Sequence, residues 1–178
     1  MADNRYQWFA MRATYKRELI AQEYLQGKGI EVYVPMKSEI RVVKGIKRKM
    51  RVPAINSIIF VHAVKEELQR AKFGVEYLQY VTRKIEGKNE PIIVPSAQME
   101  TFMQVVQDDT VEKTYFAPGE VDMALGNKVR VHGGAFDGME GVLVKVKGKR
   151  KKQFFIELEG LVVVQTVIEN LDLIEVVE

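Results

Sequence analysis

Hydrophobic and polar positions alternate over short stretches throughout the chain, while a helical period appears only before residue 107. Gln7–Ala13 reads as a strand, with Trp8 and Phe9 supplying bulk. Thr14 is the expected N-cap of a helix in which Ile20/Tyr24 and Ala21/Leu25 stand four apart, and Gly27 and Gly29 end it. Ile30, Val32 and Val34 then alternate with Glu31 and Tyr33 in a half-buried strand stopped by Pro35. Residues 39–52 read as a hairpin with Gly45 at its tip, and Ser57–Val64 as a strongly apolar strand. Lys65–Phe73 predicts a short helix closed by Gly74, and Val75–Val81 another strand. Pro95-Ser96 opens a helix whose Met99, Phe102, Met103 and Val106 fall at i, i+3, i+4 and i+7. Strands and helices in this order predict an α+β sandwich of the ferredoxin-like type over residues 1–106.

Residues 107–121 lack strong periodicity, carry Asp108-Asp109 and end in Pro118-Gly119, a linker composition. Beyond them the character changes. Val129/Val131, Val142/Val144/Val146, Phe154/Ile156/Leu158 and Leu161/Val163 are short alternating stretches separated by Gly133-Gly134, Gly138, Gly148 and Gly160. Residues 122–178 therefore read as a small β-barrel, which manages its edges by closure. The β-branched content of Val142–Val146 and Leu161–Val167 favours strands as the ground state of this part.

Charge separates the same two parts. Residues 1–105 carry a net +7, 106–121 a net −3 and 122–178 a net −1, within a total of +3. The first part is the one suited to a polyanion, most simply nucleic acid. Its charge concentrates in Lys37–Arg51, with seven basic residues against Glu39. Arg41, Lys44, Lys47, Arg48, Lys49 and Arg51 are either a solvated face or salt-dependent phosphate contacts. Tyr15, Lys16, Arg17 and Tyr24 offer aromatic rings beside cations, the chemistry that stacks bases and holds phosphates of a single strand. Lys145–Lys152 holds six basic residues and Glu157–Glu178 six acids, so the two runs can pair with each other.

Catalytic chemistry finds no footing. There is no cysteine, and His62 and His132 have no second ligand at metal spacing. Asp108-Asp109 lies in the linker with no nucleophile or base placed near it, and Gly27-Lys28-Gly29 is too short for a phosphate cradle. We expect no enzyme, no cofactor and no metal. No apolar run approaches a membrane span of roughly 20 residues, and no signal-peptide stretch opens the chain, so the cytoplasm is the expected compartment. One feature asks for a partner. Ile58 and Phe60 point to one face of their strand, Ile59 and Val61 to the other, and both pairs are apolar. One face packs on the helices; the other is either covered or a docking site.

Two stretches carry a family resemblance. Gly126–Leu143, with Gly133-Gly134-Ala135-Phe136-Asp137-Gly138 between two strands and Gly141-Val142 opening the second, resembles the KOW motif. The Trp8-Phe9 strand, the basic-flanked helix, the basic hairpin, the apolar strand ending Phe60-Val61, and Ile92-Ile93-Val94-Pro95-Ser96 before a helix resemble the N-terminal domain of NusG-type elongation factors. The resemblance implies a ferredoxin-like N-terminal (NGN) domain over 1–106, a linker over 107–121 and an SH3-like KOW barrel over 122–178. It implies a monomer that binds RNA polymerase and suppresses pausing or termination. The clamp helices of the largest catalytic subunit would dock on Trp8, Phe9, Ile55, Ile58 and Phe60, left bare by the fold, and the gate loop of the second subunit on Gln69, Arg70 and Ala71. Non-template DNA would meet Tyr15, Lys16, Arg17 and Tyr24, and upstream DNA the hairpin at Lys47, Arg48 and Lys49. Termination factor Rho or a small-subunit ribosomal protein would meet Phe136, Asp137 and Gly138, with Phe136 either an outward anchor or a core plug. Ile55-Asn56-Ser57-Ile58 lacks the Pro-Gly turn of housekeeping members and is closer to specialised paralogues of the RfaH and UpxY type. Those imply antitermination on a few long polysaccharide-type operons. The alternative is a ribosome-associated KOW-type RNA-binding protein using Lys145–Lys152 and the Gly133–Gly138 loop.

Overall fold

The computed structural model describes residues 5–178 except 118, 125, 146, 147, 149 and 169–173. Pro118, Val146, Lys147, Lys149, Glu169 and Asp172, which entered the expectations above, lie outside the described residues. Strands dominate the secondary structure, and the chain divides into two compact units, Met1–Met99 and Glu100–Glu178.

In the first unit β1 (Gln7–Ala13), α1 (Glu18–Gln26) and β2 (Glu31–Tyr33) are followed by β3 (Met36–Val43) and β4 (Ile46–Pro53). Then come β5 (Ile58–Ala63), α2 (Lys65–Lys72), β6 (Leu78–Tyr80), β7 (Thr82–Ile85), β8 (Lys88–Pro91) and β9 (Ile93–Val94). The main sheet runs β2-β5-β1-β6 with antiparallel neighbours. β1 and β2, joined through α1, are therefore parallel with β5 inserted between them. β6 takes the far edge of β1 at Met11–Ala13, and β9 takes the same edge at Trp8 and Phe9. Alternation sends Phe9, Met11 and Ala13 of β1 and Ile59, Val61 and Ala63 of β5 to one face, where they share a core with Ala21 and Leu25 of α1 and Leu68 and Ala71 of α2.

The helix begins later than Thr14 suggests. Glu18 opens α1, and Thr14 instead ties to Tyr77 through its backbone N–H (3.0 Å) and its hydroxyl (3.4 Å), both donating to the Tyr77 carbonyl. Glu18 is buried, and its Oε1 accepts the Ser57 N–H at 2.6 Å. A carboxylate in the first turn suits the helix dipole and here also fixes the turn before β5. The strand expected at Val75–Val81 is confined to Leu78–Tyr80, because Val75–Tyr77 form a turn after Gly74. β7, β8 and β9 were not expected from the pattern. β7 and β8 make a two-residue hairpin at Glu86-Gly87, both at positive φ (49° and 79°). The expected hairpin is present with its tip at Lys44-Gly45, also both left-handed (51° and 77°), as a two-residue type I′ turn requires.

α3 (Ser96–Gln107) follows, starting where Pro95-Ser96 places it. In the second unit β10 (Thr114–Phe116), β11 (Asn127–Val131), β12 (Glu140–Val144), β13 (Gln153–Leu158), β14 (Val162–Val167) and β15 (Ile174–Val176) form one sheet in the order β10-β14-β13-β12-β11-β15. Among the described residues the sheet ends at β10 and β15, and no pairing of these two strands closes it into the expected barrel. The linker expectation over 107–121 also needs correction, since Thr114–Phe116 pair with β14 from Thr114↔Gln165 to Phe116↔Val163. A three-residue strand is too short to show a period. Before it, the Lys113 ammonium donates to the Val105 (2.9 Å), Val106 (3.2 Å) and Asp108 carbonyls and closes the end of α3. Gly141 is required by packing: a Cβ there would lie 2.4 Å from the Phe155 carbonyl oxygen and 2.6 Å from the Phe154 ring.

Candidate functional site

The second face of the main sheet carries the side chains between those of the core face, namely Trp8, Ala10, Ile58 and Phe60. The expected bare surface is not bare. Trp8, Ile58 and Phe60 are 5, 7 and 0% exposed. Burial of side chains this size contributes about 1.5–3 kcal/mol each, so the fold itself has use for them. Phe9 belongs to the opposite face and to the helix-packed core, which removes it from the expected docking set. Trp8 stacks on His62 with ring centroids 4.8 Å apart, and the His62 Nδ1 lies 2.8 Å from a Glu31 carboxylate oxygen. Tyr33 tilts against Phe60 at 6.5 Å. What stays partly accessible is the root of the basic hairpin: Val52, Pro53, Ala54 and Ile55, held by the Ala54 N–H to the Pro35 carbonyl at 2.7 Å.

The hairpin β3–β4 forms a two-stranded sheet of its own, eight residues per strand, roughly 27 Å long at 3.4 Å per residue. Its register sorts the charges. Ser38, Ile40 and Val42 stand opposite Arg51, Lys49 and Lys47, so three cations and two aliphatics share one face. Lys37, Glu39, Arg41 and Val43 stand opposite Val52, Met50, Arg48 and Ile46 on the other. Ile40, Val42, Ile46 and Met50 are all exposed. A ribbon of this kind, wet on both faces, is marginal by itself. Arg41 donates to Glu39, and that hydrogen bond holds the Glu39 carboxyl below the ordinary range.

Tyr15 and Lys16 occupy a turn in which both are left-handed, at φ 59° and 55°. Each such non-glycine residue costs about 1–2 kcal/mol, and two in succession are held only because Thr14 is tied to Tyr77 and the Ala13 N–H to the Ser57 carbonyl (2.9 Å). The strain turns the Tyr15 ring into solvent, 85% exposed, with the Arg17 guanidinium 5.8 Å from it and 5.2 Å from the Tyr77 ring. Tyr77 was missed by sequence; nothing in the spacing of residues 15 and 77 signals their proximity. Tyr24 does not join this group. Its hydroxyl donates to the Ala71 carbonyl at 2.8 Å and its ring packs on the core. Ala71 is buried there too, which leaves only Gln69 and Arg70 of the gate-loop set exposed. Gln69 accepts from the Tyr80 hydroxyl at 3.4 Å, and burial pushes that phenol above its ordinary range.

In the second unit Phe136 turns inward. It is buried and meets Phe154 edge-on at 6.1 Å, so of the two readings of its loop the plug holds and the outward anchor does not. Asp137 Oδ1 accepts the Gly133 N–H (2.6 Å), and the Gly138 N–H donates to the Val131 carbonyl (2.8 Å), so both serve the turn. A charged cluster lies on neighbouring strands. Arg130 pairs with Glu140, whose hydrogen bond raises its pKa, and Glu175 accepts from or pairs with His132 at 2.7 Å. Among the described residues no group of three or more His, Asp or Glu could hold a metal ion, and no helix is long and apolar enough to cross a membrane.

Comparison with known proteins decides the family. The family model described as transcription termination factor NusG matches residues 6–103. The chain belongs to the NusG family. A solved structure described as domain interaction in Thermotoga maritima NusG aligns over 98% of this chain and 98% of its own, at 15% identity and a TM-score of 0.51, which shows a shared fold. A crystal structure of the MjSpt4:Spt5 complex aligns over 96% and 97% at 15% identity with a TM-score of 0.32, too low to bear on the arrangement. The NusG match spans both the sheet of the first unit and its basic hairpin, and stops before the second unit's strands. For that second unit the inward Phe136 gives a direct check. Phe136→Ala should cost about 3–5 kcal/mol in thermal or denaturant unfolding; a loss under 1 kcal/mol would mean the ring faces solvent.

Proposed function

We propose that this NusG-family chain is a transcription elongation and antitermination factor that binds RNA polymerase through its first unit. The observation that carries the proposal is the family match over residues 6–103, which spans every residue assigned to polymerase contact. The strand order β2-β5-β1-β6 supports reading that unit as the ferredoxin-like NGN domain. The antiparallel sheet of the second unit, with glycine-bearing turn 133–138, supports reading it as a KOW domain.

Burial changes how docking works. The clamp helices meet the partly exposed Ile55 and the hairpin root first, and reach Trp8, Ile58 and Phe60 only when the cover over that face is withdrawn. Gln69 and Arg70 supply the gate-loop contact. The Tyr15 turn presents an open ring beside Lys16 and Arg17 to a displaced single strand. The hairpin lays Lys47, Lys49 and Arg51 along one strand face, two residues apart, against duplex phosphates. Ser57, left-handed at φ 61° and fixed by Glu18, takes the place of a Pro-Gly turn before β5, which supports a specialised role on a few long operons of the RfaH and UpxY kind. The outward surface of the second unit is left for Rho or a small-subunit ribosomal protein, without Phe136 as anchor.

Ile55→Asp should abolish co-purification with core RNA polymerase while the melting temperature stays within a few degrees of the parent; retained co-purification contradicts the docking surface. Phe60→Asp is not a usable probe, since an unpaired carboxylate in a fully buried site would unfold the unit. For the hairpin, Lys47, Lys49 and Arg51 all changed to Gln should reduce the log–log salt slope of duplex-DNA binding by about 2.7, at roughly 0.9 per phosphate. Because Arg41 holds the Glu39 carboxyl low, that carboxylate stays charged as pH falls from 7 to 5, so affinity should be flat over this window. A rise in affinity toward pH 5 that a Glu39→Gln variant lacks would show that Glu39 had protonated within this window.

A further inference from the structure

β10 comes from a segment whose composition reads as linker, yet it lies along the outer edge of β14. The two strands are unequal: β14 runs six residues, Val162–Val167, and β10 only three. β14 does not depend on β10 for its place. β13 pairs with it along its whole length, from Leu158↔Val162 to Gln153↔Val167. Lifting β10 away would therefore leave β14 standing with a bare edge. Its sequence, Val-Val-Val-Gln-Thr-Val, has no charge and no proline, and an edge of that composition accepts another strand.

The cover is also short at one end. β10 pairs with Val163, Val164 and Gln165, and beside Thr114 a cleft of about 360 Å³ opens, lined by Glu112, Thr166 and Val167 among others. There the chain is tied to β14 by the Thr166 hydroxyl, which donates to the Glu112 carbonyl at 3.0 Å. The turns on either side of β10 close on themselves. The Thr110 N–H donates to Asp108 Oδ1 at 2.9 Å, and the Ala117 N–H to Glu120 Oε2 at 2.7 Å. Neither turn needs β14 to persist. Lys113, between Glu112 and β10, is the residue whose ammonium holds the carbonyls at the end of α3. One short segment thus closes the β14 edge and caps α3, and lifting it off the strand draws Lys113 away from the helix.

We propose that β10 is a displaceable cover, and that an extended segment of a partner protein takes its place on β14. A partner strand added antiparallel can pair with all six residues where β10 pairs with three. The chain's own strand shows the chemistry that fits. Tyr115 and Phe116, opposite Val164 and Val163, are half-buried, while Thr114 is exposed. The partner segment is therefore uncharged and aromatic at those two positions, and it continues into the cleft opposite Thr166 and Val167. Its apparent affinity is lowered by the fraction of chains in which β10 is closed. Its arrival uncaps α3. The proposal concerns the second unit alone and stands whether or not the first unit docks on polymerase.

The test uses the full-length chain, with a fluorescein-labelled peptide of residues 111–117 as the incoming strand. The chain has no cysteine, so Thr114→Cys with Gln165→Cys sets one disulfide between register partners and locks β10 down when oxidised. A second variant, Tyr115→Ser with Phe116→Ser, weakens β10 instead. The peptide should bind this weakened variant at least about tenfold more tightly than the unsubstituted chain, and the oxidised lock not at all. Hydrogen exchange needs no peptide. In the unsubstituted chain residues 114–116 should exchange at least about tenfold faster than 162–167, and oxidising the lock should slow exchange at 105–108 as well as at 114–116. Exchange of β10 and β14 at one common rate would show that β10 opens only when the sheet unfolds, and would overturn the proposal. Equal peptide binding by the oxidised and reduced lock, or none by the weakened variant while 162–167 stay protected, would overturn it too. A dimer of the unsubstituted chain that the oxidised lock abolishes would assign the edge to a second copy and reject a partner protein.

Discussion

The first unit depends on covering β5 twice. The strand runs Ile58-Ile59-Phe60-Val61-His62-Ala63, apolar on both faces except at His62, and it sits between β2 and β1. One cover is intrinsic: α1 and α2 bring Ala21, Leu25, Leu68 and Ala71 against Ile59, Val61 and Ala63. On the other face Ile58 and Phe60 are buried as well, alongside Trp8 and its stacked His62. A strand with this requirement cannot present a dry face to water at rest. Any partner that uses Phe60 must replace an existing cover, so affinity for that partner is reduced by whatever the cover is worth.

Polar features are arranged around that strand by local geometry. Glu18 starts α1 and reaches Ser57, so the helix carrying the strained Tyr15 turn and the turn leading into β5 are fixed by one hydrogen bond. The hairpin leaves the sheet just before that turn, its root at Pro53–Ile55 and its tip at Lys44-Gly45. The apolar rim of the candidate docking face and the base of the cationic ribbon are thus adjacent in the chain. A ligand at one lies close to a ligand at the other, which is the arrangement expected of a factor that touches protein and nucleic acid together.

Much of this was legible in sequence because periods of two and of 3.6 residues leave strong marks. β1, the end of α1, β5, α2, the basic hairpin with its Gly45 tip and the start of α3 lie where alternation and turn residues place them. What escaped was short or cooperative. β9 and β10, of two and three residues, carry no period, and β7–β8 announces itself only by Glu86-Gly87 between polar strands. The family resemblance grouped Phe9 with Ile58 and Phe60, yet the register Phe9↔Val61 sends Phe9 to the opposite face and into the helix-packed core; alternation along one strand cannot show this without the pairing of the next. Burial of the second face could not be read from β5 itself, because an apolar face looks the same whether its cover belongs to the chain or to a partner. Phe136 is the same ambiguity in small form, settled by Phe154.

The central claim is that polymerase engages this chain at the hairpin root and the second face of the main sheet. Hydrogen–deuterium exchange of the full-length protein, free and bound to core RNA polymerase, addresses it directly. The account predicts new protection over Val52–Ile58 and at Tyr33 in the complex, with the Ala21–Leu25 core peptide of α1 unchanged. Protection confined to the second unit, with residues 52–58 exchanging as in the free protein, would contradict it.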